Sequence, residues 1–475
     1  MTADVPPAAA PGARGVRRAR RPSPPAGTRA FPIALAAITI VGVLFRWLYV
    51  WRAGRKIPLG ISDAGSYFYL GRNIAAGRGY IRPYDYLFHS KSIPTAEFPP
   101  LYPTFLAGVH LLDMTTPTGQ KLATSVLGAV IVVLIGLIGR RVAGPIVGLV
   151  AALLAALYPV FAASDGGLAS ETLYGVLIAA FLLAFLIALD QPAAWRWVLV
   201  GALVGLAALT RSEAVALYVF VIIPVLLLSR GRLGPGWSGA LRAFGLALLA
   251  GLVVVTPWLI RDRVATKAFV PISNNSGTMF AGANCPEAYY SHHLGQWLYS
   301  CVQRDGKPGT TEAEQASIYR TRGQDYARDH AGRLPYVAAV RVLRTWGVWD
   351  FRDEINLESF ESRDHAWLTA GHWMFFAMVP FTIAGIVIVS RRRRRFLWPL
   401  ATTMVMVVFV SAFTYGNQRF RLVAEPAIIV FAAVGLVRLA ALLWPSVWDD
   451  PTTDDPIRGL AREGTAPVPA PEPVA

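Results

Sequence analysis

The sequence predicts an all-α polytopic membrane protein of about ten transmembrane helices, with interfacial helices in its first outer loop and a small outer cap. Three observations carry this. Of 475 residues, 54% are hydrophobic and only 16% charged, with a mean hydropathy of +0.45; a soluble protein carries about 25% charged residues. Apolar runs of roughly twenty residues recur along the chain, long enough to cross a bilayer. Many of the arginines fall in short connections between those runs, as the positive-inside rule requires. The net charge of +16 therefore reflects membrane orientation, and a nucleic-acid partner is excluded.

Residues 1–30 are rich in Pro, Ala and Arg, with Arg17, Arg18, Arg20 and Arg21 clustered, and are expected to be a disordered cytoplasmic tail. No cleavage site closely follows a short apolar stretch, so the first span, 31–51, is expected to remain as an anchor. After the outer loop 52–117, spans at 118–139, 144–163, 170–189, 195–210, 213–229 and 241–260 complete an N-terminal module covering 31–260. Segment 261–365 is too long for a turn and is expected to fold as a cap. Spans 366–390, 396–415 and 420–444 form the C-terminal module, and 445–475 is a second expected disordered tail.

Charges fix the orientation. Arg140-Arg141, Arg196, Arg230 with Arg232, and Arg391 to Arg395 share the side of the N-terminal tail, while the connection 164–169 has no basic residue. Reading 99–114 as another span would place Arg140-Arg141 outside, so it is assigned as an interfacial helix. Within the cap, Thr311 and Glu314 have capping-box spacing, and Tyr336 to Trp349 repeats apolar residues at helical intervals. Cys285 and Cys301 are the only cysteines, and both fall in this outer loop, which favours a disulfide worth about 3 kcal/mol.

Asp63 is the leading catalytic candidate. Ser62 or Asp63 caps a helix starting near Ala64, and a cap would also hold the carboxylate ionised at a helix N-terminus, as a general base requires. Tyr67 follows on the same segment. Glu97 precedes Pro99-Pro100, which stiffen the chain around it. Arg211, Arg261, Arg419 and Arg421 stand at the outer ends of separate spans. Any one could simply snorkel to lipid headgroups; together they suit an anionic group, since a guanidinium matches phosphate oxygens in paired hydrogen bonds. Asp165, Glu171 and Arg46 are further candidates for lining the cavity or for structural roles. No phosphate-cradling Gly-rich loop, zinc-protease motif or nucleophile elbow is present. An enzyme working outside would need a donor already carried across on a lipid.

Ser62-Asp63-Ala64 with Tyr67, Gly77-Arg78-Gly79-Tyr80 and Glu97-Phe98-Pro99-Pro100-Leu101-Tyr102-Pro103 resemble the first outer loop of GT-C glycosyltransferases. The resemblance is to the branch with protein O-mannosyltransferases and the lipid A aminoarabinose transferase. Leu209-Thr210-Arg211, Pro257-Trp258-Leu259-Ile260-Arg261 and Arg419-Phe420-Arg421-Leu422 also resemble motifs of bacterial members. The resemblance implies a polyprenyl-phosphate sugar donor, inversion at the anomeric carbon, Asp63 as base and arginines on the departing phosphate. It implies a bacterial cytoplasmic membrane with the site on the outer face. Two departures stand out. Ala64 follows Asp63 where O-mannosyltransferases have an acidic pair, and Phe98 replaces a basic residue common in the aminoarabinose branch. No cofactor is required, and a divalent metal at Glu97 is left open. Sugar and acceptor (glycan, lipid or protein) are not specified. The rival classes are a lipid-linked sugar transporter or flippase, against which stands the lack of paired halves with interrupted helices, and a non-catalytic scaffold.

Overall fold

The computed structural model describes residues 27–233, 237–303 and 310–444. The expected tails fall outside these residues, except that the first helix already runs through 27–30. Helix α1, Gly27–Arg52, crosses first and packs against the two helices that follow the outer loop. That loop carries three short helices: α2 (Asp63–Ala75), α3 (Pro83–His89) and α4 (Leu101–Leu111). The chain then returns through α5 (Pro117–Ala143).

The next crossing is bent. Helices α6 (Pro145–Ala156) and α7 (Pro159–Gly166) meet at 50°, because Pro159 lacks the N–H that would continue α6 and instead opens α7. Helices α8 (Glu171–Asp190) and α9 (Ala194–Ala208) follow. The span Ser212–Gly231 begins with a 3-10 turn and a π-turn and ends in α10 (Ile223–Leu233), and α11 (Ser238–Thr266) closes the first half.

Six short helices form the cap: α12 (Asn275–Ala283), α13 (Pro286–Tyr290), α14 (Tyr299–Gln303), α15 (Glu312–Asp329), α16 (Leu334–Thr345) and α17 (Phe351–Phe360). Helix α15 starts on the expected capping box, Thr311 Oγ1 accepting from Glu314 N–H while the Glu314 side chain accepts from Thr311 N–H. Cys285 and Cys301 are bonded, with Cα atoms 6.2 Å apart. Inside the cap, buried Arg344 donates to Glu354 (2.9 Å) and to the Leu294 carbonyl (2.6 Å). Three helices then complete the bundle: α18 (His365–Arg392), α19 (Arg394–Phe413) and α20 (Glu425–Leu443).

Among the described residues, eight of the ten expected crossings are long apolar helices, the bent pair would make a ninth, and the tenth is matched by α9, whose 15 residues are shorter than a full span. Among the described residues there is no strand, only an isolated bridge between Ile81 and Pro94. Helices α8 and α20 form the buried centre. Close approach there needs glycine. A Cβ on Gly385 of α18 would stand 1.9 Å from the Phe431 carbonyl of α20, and one on Gly435 of α20 2.2 Å from that of Phe381. Small residues let transmembrane backbones touch in this way.

Candidate active site

Ser62 caps α2: its Oγ accepts from Gly65 N–H at 3.4 Å and donates to the Leu59 carbonyl. Asp63 is therefore free of the capping duty and occupies the first position of the helix, where the dipole favours a negative charge. Its side chain is 40% exposed and lies 3.4 Å from Arg419 Nη1. Its own N–H donates to Glu361 Oε2 at 3.3 Å.

Arg419 is held by the 3-10 turn Gln418–Val423, whose cap Asn417 accepts from Arg419 N–H at 2.8 Å. Its Nε lies 3.6 Å from Glu171 Oε1. The same oxygen is 2.7 Å from Arg211 Nη1 and 3.3 Å from Arg363 Nη2. One buried carboxylate, at the first position of α8, therefore collects three guanidinium groups from three distant parts of the chain. Each arginine has a second acid: Arg211 has Glu213 (2.5 Å), Arg363 has Glu358 (2.9 Å) and Arg419 has Asp63. Tyr67, one turn beyond Asp63, donates to Ser170 Oγ at 3.2 Å. Burial, then the charges of Asp63 and Glu171, push its phenol well above its usual range. Behind the cluster, a cavity of ≈ 20 Å³ bordered by Ser164, Glu358, Arg363 and Gln418 has room for about one water and not for a sugar.

A second group frames the other side. The Glu97 side chain reaches solvent, but desolvation by the protein around it pushes its carboxyl up to about 7, with Glu312 and Asp63 adding to the rise. Its strap is pinned from several directions. Glu312 accepts from Thr95 Oγ1 (2.8 Å), Ala96 N–H (2.9 Å), Asn274 Nδ2 (3.0 Å) and Arg82 Nε (3.2 Å). Arg261 donates to the Thr95 and Tyr80 carbonyls and lies against the rings of Tyr80 and Trp258. Ser273 Oγ donates to the Glu97 carbonyl at 2.8 Å. Glu361 is likewise pushed up to about 7, by burial first and then by Asp63.

The structure thus brings together Asp63, Tyr67, Glu171, Arg211 and Arg419, and sets the other expected residues apart. Arg421 turns into the bundle, donating to Glu425 (2.6 Å) and Tyr158 OH (3.3 Å) over the Phe375 ring. Arg261 holds backbone carbonyls beside Glu97 and makes no contact with the Glu171 cluster. Asp165 and Arg46 form their own buried pair at 2.6 Å, with Thr172 as third partner, and Gly128 leaves space for the Asp165 carboxylate. Sequence reasoning missed Arg363, Glu361, Glu358 and Glu312. Arg363 carried the signal used for Arg261, an arginine at the outer end of a span, here just before the α18 cap Asp364. Among the described residues, the side chains grouped closely enough to share a metal are Cys285, Glu287 and Cys301, whose two sulfurs form the disulfide.

Residues 97–260, from Glu97 nearly to Arg261, match the profile of dolichyl-phosphate-mannose-protein mannosyltransferases. No curated protein matches the chain by sequence. In three dimensions the chain is similar to apo ArnT from Cupriavidus metallidurans, with a TM-score of 0.53 at 16% identity, covering 89% of this chain and 62% of that one. It is also similar to the oligosaccharyltransferase AglB from Archaeoglobus fulgidus in complex with an inhibitory peptide and a dolichol-phosphate. That TM-score is 0.52 at 13% identity, covering 94% of this chain and 53% of AglB. An Archaeoglobus fulgidus oligosaccharyltransferase tethered with an acceptor peptide gives 0.55 at 14% identity, covering 88% and 50%. The chain spans about half to three fifths of the length of these structures.

Proposed function

We propose that this chain, which has the GT-C fold of membrane glycosyltransferases, is an inverting glycosyltransferase. It moves a sugar from a polyprenyl-phosphate donor to an acceptor at the outer face of a bacterial cytoplasmic membrane. The observation that carries this is the position of Asp63, an accessible carboxylate at a helix N-terminus beside Arg419, one of the three arginines that meet at Glu171. A base beside guanidinium groups that can donate to phosphate oxygens is what displacement of a phosphate demands. ArnT and AglB are proteins of this fold, and one was solved with dolichol-phosphate. A polyprenyl phosphate as the carrier of the sugar is consistent with that lipid.

In the reaction, the acceptor hydroxyl attacks the anomeric carbon and its proton passes to Asp63. The bond from that carbon to the phosphate oxygen breaks, and the lipid phosphate leaves with the electron pair. Arg419 and Arg211 neutralise the charge that develops on it. Both are more than four-fifths buried, so little water weakens their field. Arg363, deeper still, holds Glu171 from behind and positions the other two. The arginine-rich helix ends, which lie at the opposite end of the bundle from Asp63, support the outer-face assignment.

The test is Asp63→Asn. Ser62 provides the cap and Asp63 contributes to Glu361 through its backbone, so the fold should be preserved. Purified protein incubated with a panel of polyprenyl-phosphate sugars should release polyprenyl phosphate. The Asn variant should be slower by about 10²–10⁴-fold, the usual worth of a general base. An Asn variant that turns over at the parental rate would remove Asp63 from the chemistry.

A further inference from the structure

The polarity of cap helix α16 is reversed for a helix in water. Its exposed positions are Pro335, Tyr336, Ala339 and Leu343, and Val348 just beyond it is 62% exposed, whereas Arg341, Arg344 and Thr345 on the other face are buried. The buried guanidinium groups are satisfied within the cap, Arg341 by the Ala283 carbonyl (2.6 Å) and Arg344 by Glu354 (2.9 Å). Neighbouring α15 has the ordinary pattern and exposes Glu314, Ser317, Thr321, Asp325, Arg328 and Asp329. A surface helix in water turns its apolar stripe inward; α16 turns it outward. Two contacts set the depth at which it does so. Arg341 Nη1 donates to the Ala412 carbonyl of α19 at 3.3 Å, and the His372 ring of α18 stands against Gly347. Counted from the arginine-rich end, Ala412 lies about 26 Å from Arg395 and His372 about 29 Å from Arg391, at 1.5 Å per residue. The hydrocarbon core of a bilayer is about 30 Å thick, so both contacts stand close to its boundary on the Asp63 side. There Phe413 (72% exposed) and Trp373 (59% exposed) mark the open sides of α19 and α18. Trp346 reaches into the apolar core of the spans, its ring 6.3 Å from that of Phe375.

We propose that α16 lies along the membrane surface on the Asp63 side and presents the Tyr336, Ala339, Leu343 and Val348 face to lipid. An interfacial helix buries such a face at the boundary between headgroups and acyl chains, and a tyrosine ring suits headgroup level. The partner is lipid rather than a second copy of this chain, because both anchoring contacts are made to spans at the depth where a bilayer surrounds them. The cap is thereby tied to the membrane through one helix while α15 faces water. That helix also carries Thr345, whose Oγ1 accepts from Asn417 N–H at 3.1 Å, so the leaflet supports the element that fixes the turn bearing Arg419. The assignment uses helix lengths, contacts and exposure alone, and it stands whether or not the chain transfers a sugar.

The test is fluorescence quenching in phosphatidylcholine nanodiscs that hold one full chain each, so that no second copy can cover the face. The native cysteines are joined in the disulfide and leave no thiol to label. Ala339→Cys and Leu343→Cys report on α16, Ser317→Cys and Thr321→Cys on α15, each carrying a bimane fluorophore. Phosphatidylcholine bearing a doxyl spin label near the glycerol should quench the α16 pair strongly and spare the α15 pair. Aqueous iodide should do the reverse. Val348→Cys should behave as the α16 pair does and serves if either substitution within α16 disturbs the helix. An α16 pair open to iodide and spared by the doxyl lipid would overturn the proposal and leave the face to water or to a protein partner. Equal quenching of all four positions by the doxyl lipid would overturn it too, since the cap as a whole would then lie on the bilayer.

Discussion

Replacing Glu171 by Gln removes the single charge that faces Arg211, Arg363 and Arg419, and should destabilise the fold by about 3 kcal/mol. The magnitude follows from burial and from what remains. The Glu171 side chain is 4% exposed, and taking one partner from a buried ion pair costs roughly 3–5 kcal/mol because the other charge is left uncompensated. Three charges are orphaned here, but each keeps another acid: Glu213 for Arg211, Glu358 for Arg363 and Asp63 for Arg419. The amide oxygen of Gln can also still accept one hydrogen bond. Both considerations place the loss at the low end of the range. The comparison is Asp190→Asn, which breaks the Arg141 pair where both side chains are about a quarter exposed, a contact worth about 0–1 kcal/mol. Denaturant-induced unfolding in detergent micelles should show Glu171→Gln clearly displaced from the parent and Asp190→Asn close to it. If the two variants unfold together, Glu171 does not hold the arginines and the cluster's order comes from packing alone.

Three further outcomes follow from the cap and its attachment. Glu361 is raised from an ordinary 4.5 to about 7, so the folded state holds its proton more tightly than the unfolded one. Its contribution to stability is undiminished below pH 4.5 and falls as pH rises towards 7; Glu361→Gln should therefore flatten the decline in melting temperature between pH 5 and 8, and an unchanged slope would refute the assignment. Glu312→Ala removes the acceptor shared by Thr95, Ala96, Asn274 and Arg82 and should cost about 2–3 kcal/mol, given the worth of hydrogen bonds to a charged group. Amide exchange at Ala96 should accelerate with it, and unaltered protection there would show that the strap is held without the cap. Changing Cys285 and Cys301 together to Ser should lower stability by about 3 kcal/mol for a 16-residue separation, measured by unfolding of the oxidised parent against the variant.

Features encoded locally were legible in the sequence. The eight long crossings follow from runs of apolar residues, and the start of α15 from the four positions Thr311 to Glu314, which need nothing distant to act. The cap on α2 was narrowed to Ser62 or Asp63, and only the geometry shows that Ser62 takes it. Convergence was not legible in the same way. Asp63 meets Glu361, and Glu171 meets Arg211 and Arg363, through contacts between segments that no spacing rule connects.

Arg419 and Arg421 show why counting arginines at span ends cannot build a site. Both precede α20, two residues apart, and as a pair they looked equally suited to a lipid phosphate. The segment between them is a 3-10 turn, in which two residues correspond to about 240° of rotation. One guanidinium therefore faces Asp63 and Glu171, while the other enters the bundle to meet Glu425 and Tyr158. The turn is fixed by Asn417, whose side chain accepts from Arg419 N–H and whose own N–H donates to Thr345 of the cap. The direction of the arginine beside the candidate base thus depends on a contact with the last residue of α16. The cap, read from sequence only as a cover, also sets which charges reach the site.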